Sequence, residues 1–265
     1  MTTASSTVCL SIAGLDPSGG AGIIADIKTF SAFGCYGAAA VTSITFQNTA
    51  GVYGAAHQTA EAVRYQIEPV FADLDVAAVK TGMLPTEETI RTTAELLKVN
   101  NVKHLVVDPV VRSTSGFDFI DDNALRALVA ELFPLADLIT PNIPEAERIA
   151  QMPIRNDDDI AAAASVMQDL GARSVLIKGG HFEGAEAVYH LFLKSNIEIY
   201  RADRIDTNAT HGTGCTLSAA IAANLALGLD LTESVGMAKR FVTEAIRTAP
   251  NIGHGNSPIN HFVDI

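Results

Sequence analysis

The sequence predicts an α/β fold in which a mostly parallel central sheet is covered by helices on both faces. Short runs rich in β-branched residues alternate with longer, alanine-rich amphipathic segments, as expected for repeated β-α-β units. Glycine-rich and polar stretches follow the strand-like runs, where open α/β sheets bind their ligands. The 265 residues contain no repeat and no linker rich in Pro, Gly and Ser. Residues 1–265 are therefore expected to form a single domain.

The elements are expected in the following order along the chain. Strands are predicted at residues 8–12, 39–46, 76–80, 104–108, 138–140, 174–178, 188–193 and 198–202. Helices are predicted at residues 21–33, 59–71, 87–99, 121–133, 157–170, 213–227 and 232–248. Thr59 suits the N-cap of the second helix, and the acidic residues that open the helix at 157–170 suit its dipole. The last two strands are expected to pair antiparallel, turning near Asn196.

Charge and cysteine usage exclude several classes of function. Lys and Arg number 18 against 30 Asp and Glu, a net charge of −12, which argues against nucleic-acid binding and against a polybasic membrane surface. An anionic substrate remains possible, because backbone amides at a helix start can hold phosphate. The three cysteines have no zinc-site spacing, and no apolar stretch reaches the ~20 residues of a membrane span. With no signal-like start, a cytoplasmic location is expected.

The stretch from Thr210 to Cys215, THGTGC, carries the most chemical information. Gly212 and Gly214 allow close approach of a ligand to the backbone, and the small, apolar residues that follow predict a buried helix. The start of such a helix presents free N–H groups to a phosphate. Cys215 would lie in that first turn, where a lowered thiol pKa is expected. Taken alone, the stretch could also be a glycine-rich turn with a structural cysteine.

Several motifs together carry a resemblance to a known family. SIAGLDPSGGAG, TFQNT, KTGML, TPNIPEAE, KGGH and THGTGCTLSAA occur in this order between about residue 8 and His261. In this the chain resembles the hydroxymethylpyrimidine/phosphomethylpyrimidine kinases of thiamine biosynthesis, which belong to the ribokinase-like superfamily and are close to the pyridoxal kinases. The resemblance implies a three-layer ribokinase-like fold, ATP and Mg²⁺, a small-molecule substrate and a homodimer. It also implies two successive phosphorylations, of the hydroxymethylpyrimidine and then of its monophosphate.

The resemblance also implies roles for individual residues. The amides of Gly212, Thr213 and Gly214 would cradle the transferring phosphoryl group, and Cys215 would accept or share the hydroxyl proton of the substrate. ATP and its phosphates would be bound by Lys178, Asn142, Thr210 and Lys239. For Lys178 and Lys239, a solvated lysine is the plain alternative.

Substrate and metal contacts are implied in the same way. The pyrimidine would meet Gln47, Gly14, Asp26 and Val110, and Mg²⁺ would meet Glu145 and Asp108, in part through water. Without the resemblance, Asp26 would be assigned to the solvent face of the first helix. Gln47 could equally bond to loop backbone, and Glu145 could be a carboxylate that interacts with the helix start.

One departure from the family and three rival functions are visible. Thr114 stands where many relatives have a lysine, and Arg112 is the candidate replacement for its phosphate contact. A pyridoxal or pyridoxine kinase would use the same site chemistry. A ligand-binding regulator without turnover is disfavoured by the retained Cys215, Asn142 and Glu145. A dinucleotide dehydrogenase is disfavoured because GLDPSGGAG lacks the G-x-G-x-x-G spacing.

Overall fold

The computed structural model describes residues 6–111, 119–179 and 186–263. Its strands are β1 (Val8–Leu15), β2 (Tyr36–Asn48), β3 (Gly51–His57), β4 (Val76–Thr81), β5 (Leu105–Val107), β6 (Leu138–Ile139), β7 (Val175–Gly179), β8 (Glu186–Phe192) and β9 (Ile197–Asp203). Its α-helices are α1 (Gly22–Ala32), α2 (Ala60–Asp73), α3 (Glu87–Val99), α4 (Asp122–Leu132), α5 (Ile143–Ala150), α6 (Asp157–Asp169), α7 (Thr213–Ala226) and α8 (Leu231–Arg247). A 3₁₀ turn at Phe133–Leu135 follows α4.

The described strands form one nine-stranded sheet in the order β3-β2-β1-β4-β5-β6-β7-β8-β9. Six adjacent strands, β2, β1, β4, β5, β6 and β7, run parallel. At one edge β3 pairs antiparallel with β2, and at the other edge β8 pairs antiparallel with both β7 and β9. The predicted α/β class and mostly parallel sheet are therefore confirmed. All the parallel strands end at the same edge, which collects the loops that carry the sequence motifs.

Two apolar layers, one on each face of the sheet, hold the structure together. Alternate strand residues point to opposite faces: Val79 and Val107 pack with helices α2 to α6, while Ala78 and Val106 pack with α1, α7 and α8. This three-layer arrangement buries α7 on every side, and its residues 216–225 are all buried. The start of α7, residues 213–215, is less buried and lines the space at the carboxyl ends of the parallel strands.

Polar side chains set several of the helix starts that the sequence predicts. Thr59 accepts a hydrogen bond from the Ala62 amide at the start of α2, as its position before the helical pattern predicts. Asp121 does the same for α4 and Asn156 for α6. Each cap satisfies an amide that would otherwise have no partner within its helix.

The structure adds two elements that the sequence analysis did not predict. β3 pairs with the end of β2 as a hairpin, although its sequence GVYGAAH is poor in β-branched residues. Helix α5 follows directly on β6 and spans only Ile143–Ala150. Arg112 and Thr114 lie outside the described residues, and so does His181, the last residue of the KGGH motif.

Candidate active site

A cavity of about 1180 Å³ lies at the carboxyl ends of the parallel strands. The residues that line it include most of those singled out in the sequence: Gly14, Gln47, Asp108, Val110, Asn142, Glu145, Lys178, Thr210, Gly212, Thr213, Gly214 and Cys215. Loops that are far apart in the chain thus meet around one space. Asp26 and Lys239 lie outside this lining.

The start of α7 forms one wall of the cavity. Gly212 is the N-cap, with φ +82°, and no side chain caps the helix. A Cβ on Gly212 would stand 1.8 Å from the carbonyl oxygen of Gly20, and one on Gly214 would stand 3.3 Å from Lys178 Nζ. Glycine at both positions therefore allows the helix start to meet another backbone on one side and an ammonium on the other. The helix start suits an anion.

Lys178 and Asp108 form the charged centre opposite this helix start. Lys178 Nζ lies 3.1 Å from Asp108 Oδ1, which also accepts a hydrogen bond from Thr140 Oγ1 at 3.0 Å. Burial alone would raise the pKa of Asp108, but the ammonium groups of Lys178 and Lys80 hold it below its usual value. Among the described residues, both hydrogen bonds to this carboxylate are made to Oδ1, so Oδ2 is available to a ligand.

Glu145 lies beside this pair and closes a capping box at the start of α5. Its Oε2 accepts from the Asn142 amide at 2.8 Å, and Asn142 Oδ1 accepts from the Glu145 amide at 2.9 Å. Burial and the nearby Asp108 raise the pKa of Glu145 to about 7, although Lys178 acts in the opposite direction. The helix-start role foreseen for Glu145 is thus present, in a residue that also lines the cavity.

The Cys215 thiol lies in the first turn of α7, as predicted. Its pKa, however, is shifted in the direction opposite to the expected one. Burial raises it to about 11, although the charge of Lys80 and the backbone N–H of Gly22 act to lower it. The expectation of a lowered pKa is therefore wrong. Removing the thiol from water outweighs both the helix start and the nearby cation.

Lys80 is a site residue that the sequence analysis missed. It lines the cavity floor although its side chain is 0% exposed, and its Nζ lies 2.9 Å from Asp26 Oδ2. The same Asp26 oxygen accepts from Ser11 Oγ at 2.5 Å, while Oδ1 has no hydrogen-bond partner among the described residues. A lysine that ends an apolar strand run, as in VAAVKTG, was the signal available in the sequence.

Asp26 occupies a different place from the one expected. Its side chain is fully buried beneath the cavity lining, bonded to Lys80 and Ser11. The alternative of a solvent-facing residue is wrong. A direct contact with a bound ring is also unsupported by this position, because Lys80 stands in the cavity lining and Asp26 does not.

Gln47, at the end of β2, faces the loop that precedes α7. Its Oε1 accepts from Thr45 Oγ1 at 3.0 Å, and its Nε2 lies 3.4 Å from His211 Nε2. His211 in turn lies 2.7 Å from Asp16 Oδ2. His211 lies within the THGTGC stretch, but its link to Asp16 was not predicted from the sequence.

Lys239 lies behind one wall of the cavity. Its Nζ donates to the carbonyl of Ala187 at 2.9 Å and lies 3.6 Å from the centre of the Tyr189 ring. Tyr189 itself lines the cavity. Burial lowers the pKa of Lys239 to about 8. A direct phosphate contact is therefore not supported by the position of this ammonium.

Two features are absent from the described residues. No group of three or more His, Cys, Asp or Glu side chains there has the arrangement of a metal-binding cluster. In the same residues, no helix combines the length and apolar character needed to cross a membrane.

The sheet order and a helix start aimed at a lysine–aspartate pair place the protein in the class of ribokinase-like small-molecule kinases. This chain is similar to the structure of the pyridoxal kinase from Staphylococcus aureus in complex with AMP-PCP and pyridoxal, with a TM-score of 0.91 and 30% sequence identity. The superposition covers 98% of this chain and 94% of the pyridoxal kinase chain. The model of the phosphomethylpyrimidine kinase family matches residues 16–260. The chain belongs to that family.

Individual members of the family agree with this assignment. The hydroxymethylpyrimidine/phosphomethylpyrimidine kinase of Rhizobium meliloti (strain 1021) is 47% identical over 258 residues, which are 96% of this chain and 97% of the relative. The crystal structure of phosphomethylpyrimidine kinase from Clostridium difficile 630 is 46% identical with a TM-score of 0.80. The superposition covers 90% of this chain and 99% of the Clostridium difficile chain. The resemblance drawn from the motifs is thereby confirmed.

Proposed function

We propose that the protein transfers the γ-phosphoryl group of ATP to the 5-hydroxymethyl oxygen of 4-amino-5-hydroxymethyl-2-methylpyrimidine. We propose that it then phosphorylates the resulting monophosphate to the diphosphate, as a step of thiamine biosynthesis. The observation that carries the proposal is the convergence of the α7 start on Lys178 and Asp108 in one cavity. The identity to the Rhizobium meliloti kinase supports the choice of substrate.

The chain would accelerate this transfer by positioning and by stabilising charge. The amides of Gly212, Thr213 and Gly214 would cradle the transferring group, and Lys178 would neutralise its developing charge. A new bond joins the substrate oxygen to the γ-phosphorus while the bond to the β-phosphate oxygen breaks. The hydroxyl proton would pass to Cys215 Sγ in its thiolate form, which Lys80 favours.

Mg²⁺ fits the carboxylates of this site. Hard cations take oxygen ligands, and Mg²⁺ keeps several of its waters. Asp108 Oδ2 and the Glu145 carboxylate would orient such waters beside the nucleotide phosphates. When bound, the ion would neutralise phosphate charge during the transfer.

The remaining cavity residues would divide between the two substrates. The ring would meet Gly14, Val110 and the amide of Gln47, which has both a donor and an acceptor for the aminopyrimidine edge. Asp26 would act on the ring through Lys80. On the nucleotide side, we propose contacts with Asn142 and Thr210, and an indirect role for Lys239 through Tyr189. Lys239 Nζ lies 3.6 Å from the centre of the Tyr189 ring, and Tyr189 lines the cavity.

Phosphorylation of pyridoxal or pyridoxine is the alternative function. The shared fold with the Staphylococcus aureus pyridoxal kinase favours it. The deciding experiment measures steady-state kcat/KM with ATP for the hydroxymethylpyrimidine, its monophosphate and pyridoxine, with Cys215→Ala as the inactive control. We expect the two pyrimidines to be preferred. A higher kcat/KM for pyridoxine would replace the proposal with the alternative.

Two properties of the whole protein belong to the same proposal. We propose a homodimer, as the resemblance implies, and note that Ile44 and Phe46 on β2 are 42% and 54% exposed. Sedimentation equilibrium would test it, with a monomer mass as the contrary result. We also propose a cytoplasmic location, which is consistent with the free thiols of Cys9 and Cys35. Fractionation of the source cells would test that location.

A further inference from the structure

A buried aspartate–histidine pair ties two loops of the cavity together. His211 Nε2 lies 2.7 Å from Asp16 Oδ2, and the two residues are 195 positions apart in the chain. Their side chains are only 9% and 3% exposed. Asp16 stands in the loop between β1 and α1, and His211 directly precedes the N-cap of α7. The pair therefore joins the segments that lead into two helices.

The Asp16 carboxylate is fixed from several sides. Oδ1 accepts from the Ser18 amide at 2.8 Å. Oδ2 accepts from Ser18 Oγ and from the Ala21 amide, both at 2.9 Å. Burial alone would raise the pKa of Asp16, but the bonds from His211 and Ser18 hold it below its usual value. An ionised carboxylate only accepts hydrogen bonds, so the proton of this contact lies on His211 Nε2.

The packing around the pair leaves little freedom to the two loops. A Cβ on Gly20 would stand 2.3 Å from His211 Cδ2, and one on Gly212 would stand 1.8 Å from the Gly20 carbonyl oxygen. The His211 amide also donates to the carbonyl of Ser257 at 3.2 Å. The His211 ring thus packs against Gly20, and the His211 backbone is fixed by its hydrogen bond to Ser257.

We propose that Asp16 and His211 are positioning residues. Their hydrogen bond holds the start of α7 against the start of α1, so that the Gly212, Thr213 and Gly214 amides stay aimed at the transferring phosphoryl group. The proposal rests on the kinase function proposed above. Displacements of about 1 Å in a catalytic geometry cost on the order of 100-fold in rate, so a bond that fixes this helix start acts on the chemical step.

The test compares His211→Leu, which removes the bond, with His211→Gln, whose Nε2 can still donate to Asp16. Asp157→Asn is the matched control, because Asp157 forms another Asp–His contact, 3.8 Å from His190 Nε2, and is 80% exposed. We expect His211→Leu to lower kcat by about 10- to 100-fold while the pyrimidine KM changes by less than about threefold. His211→Gln should recover most of the loss, and Asp157→Asn should match the wild type.

Three kinetic results would overturn the proposal. An unchanged kcat in His211→Leu would do so, and so would a His211→Gln variant no better than the leucine variant. A raised KM at constant kcat would show instead that the pair acts on ring binding through Gln47. If the wild type phosphorylates pyridoxine but not the pyrimidine, the substrate proposal fails, and the same comparison is then made with pyridoxine.

Amide hydrogen exchange tests the pair without any turnover. In the apo protein, we expect residues 212–216 to exchange faster in His211→Leu and in Asp16→Asn than in the wild type and Asp157→Asn. Equal exchange rates of residues 212–216 in all four folded proteins would overturn the proposal. This result does not depend on whether any substrate is turned over. If His211→Leu does not fold, Asp16→Asn and His211→Gln carry the comparison.

Discussion

The buried ion pair between Lys80 and Asp26 provides the sharpest test of the energetics beneath the cavity. Both side chains are 0% exposed, with Nζ 2.9 Å from Oδ2. Burial alone would lower the pKa of Lys80, but Asp26 raises it above its usual value, so the ammonium stays charged. Replacing Lys80 with Met removes the cation and keeps a side chain of similar length. Asp26 is then left buried without its partner.

The expected magnitude follows from this burial. Removing one member of a buried pair typically destabilises a protein by about 3–5 kcal/mol, whereas replacing both with apolar residues is often neutral. We therefore expect Lys80→Met and Asp26→Leu each to lose about 3–5 kcal/mol of unfolding free energy. The double variant should lose no more than either single variant.

The assay is urea unfolding of the four proteins, with the coupling energy taken from the double-mutant cycle. The matched control is the surface pair Arg64–Glu95, at 2.6 Å with side chains 30% and 58% exposed. Such pairs contribute about 0.2–1 kcal/mol. A Lys80–Asp26 coupling no larger than this surface value would refute the reasoning.

Three further predictions concern the chemistry of the cavity. Cys215→Ala should lower kcat by ~10²–10⁴-fold with little change in KM. Because the thiolate is a minor form below a pKa of about 11, wild-type kcat should also rise with pH, and a flat pH profile would contradict the base role. Glu145→Gln keeps the capping box but should raise the Mg²⁺ concentration needed for half-maximal activity while pyrimidine binding is unchanged; superimposable magnesium titrations would leave Glu145 only its helix-start role. Gln47→Met should lower kcat/KM for the hydroxymethylpyrimidine by about ten- to a few-hundred-fold, because unpaired buried polar groups cost ~1–3 kcal/mol. Pyridoxine should lose less, and equal losses would show that Gln47 supports the loop and does not read the ring.

Much of the fold and the location of the site could be predicted because both depend on local patterns. The alternation of strands and helices gives the parallel sheet, and the sheet brings together the loops that follow its strands. The glycines of THGTGC mark the helix start at Gly212 because few other residues adopt its positive φ. The β2–β3 hairpin was missed because glycine and alanine in β3 give no strand pattern.

The properties of individual side chains could not be predicted in the same way, since they depend on distant parts of the chain. The pKa of Cys215 follows from its burial among Lys80, Asp26 and Asp108, which no local rule contains. Lys80 and Asp26 are 54 positions apart, so neither residue signals the other. The sequence does not distinguish a polar strand residue that is solvated from one that forms a buried ion pair, as Lys80 does.

The burial of residues 216–225 of α7 has a consequence for how the chain reaches its native state. This helix follows all nine strands in the sequence, yet it covers Cys9, Ala78 and Val106 on one face of the sheet. A chain with its sheet formed and α7 not yet docked exposes that face together with the apolar surface of the helix itself. Partly folded species of this kind associate with one another. Recovery of the protein from denaturant is accordingly expected to depend on its concentration. The helix start that we propose as the phosphate cradle would form only in molecules that have completed this docking.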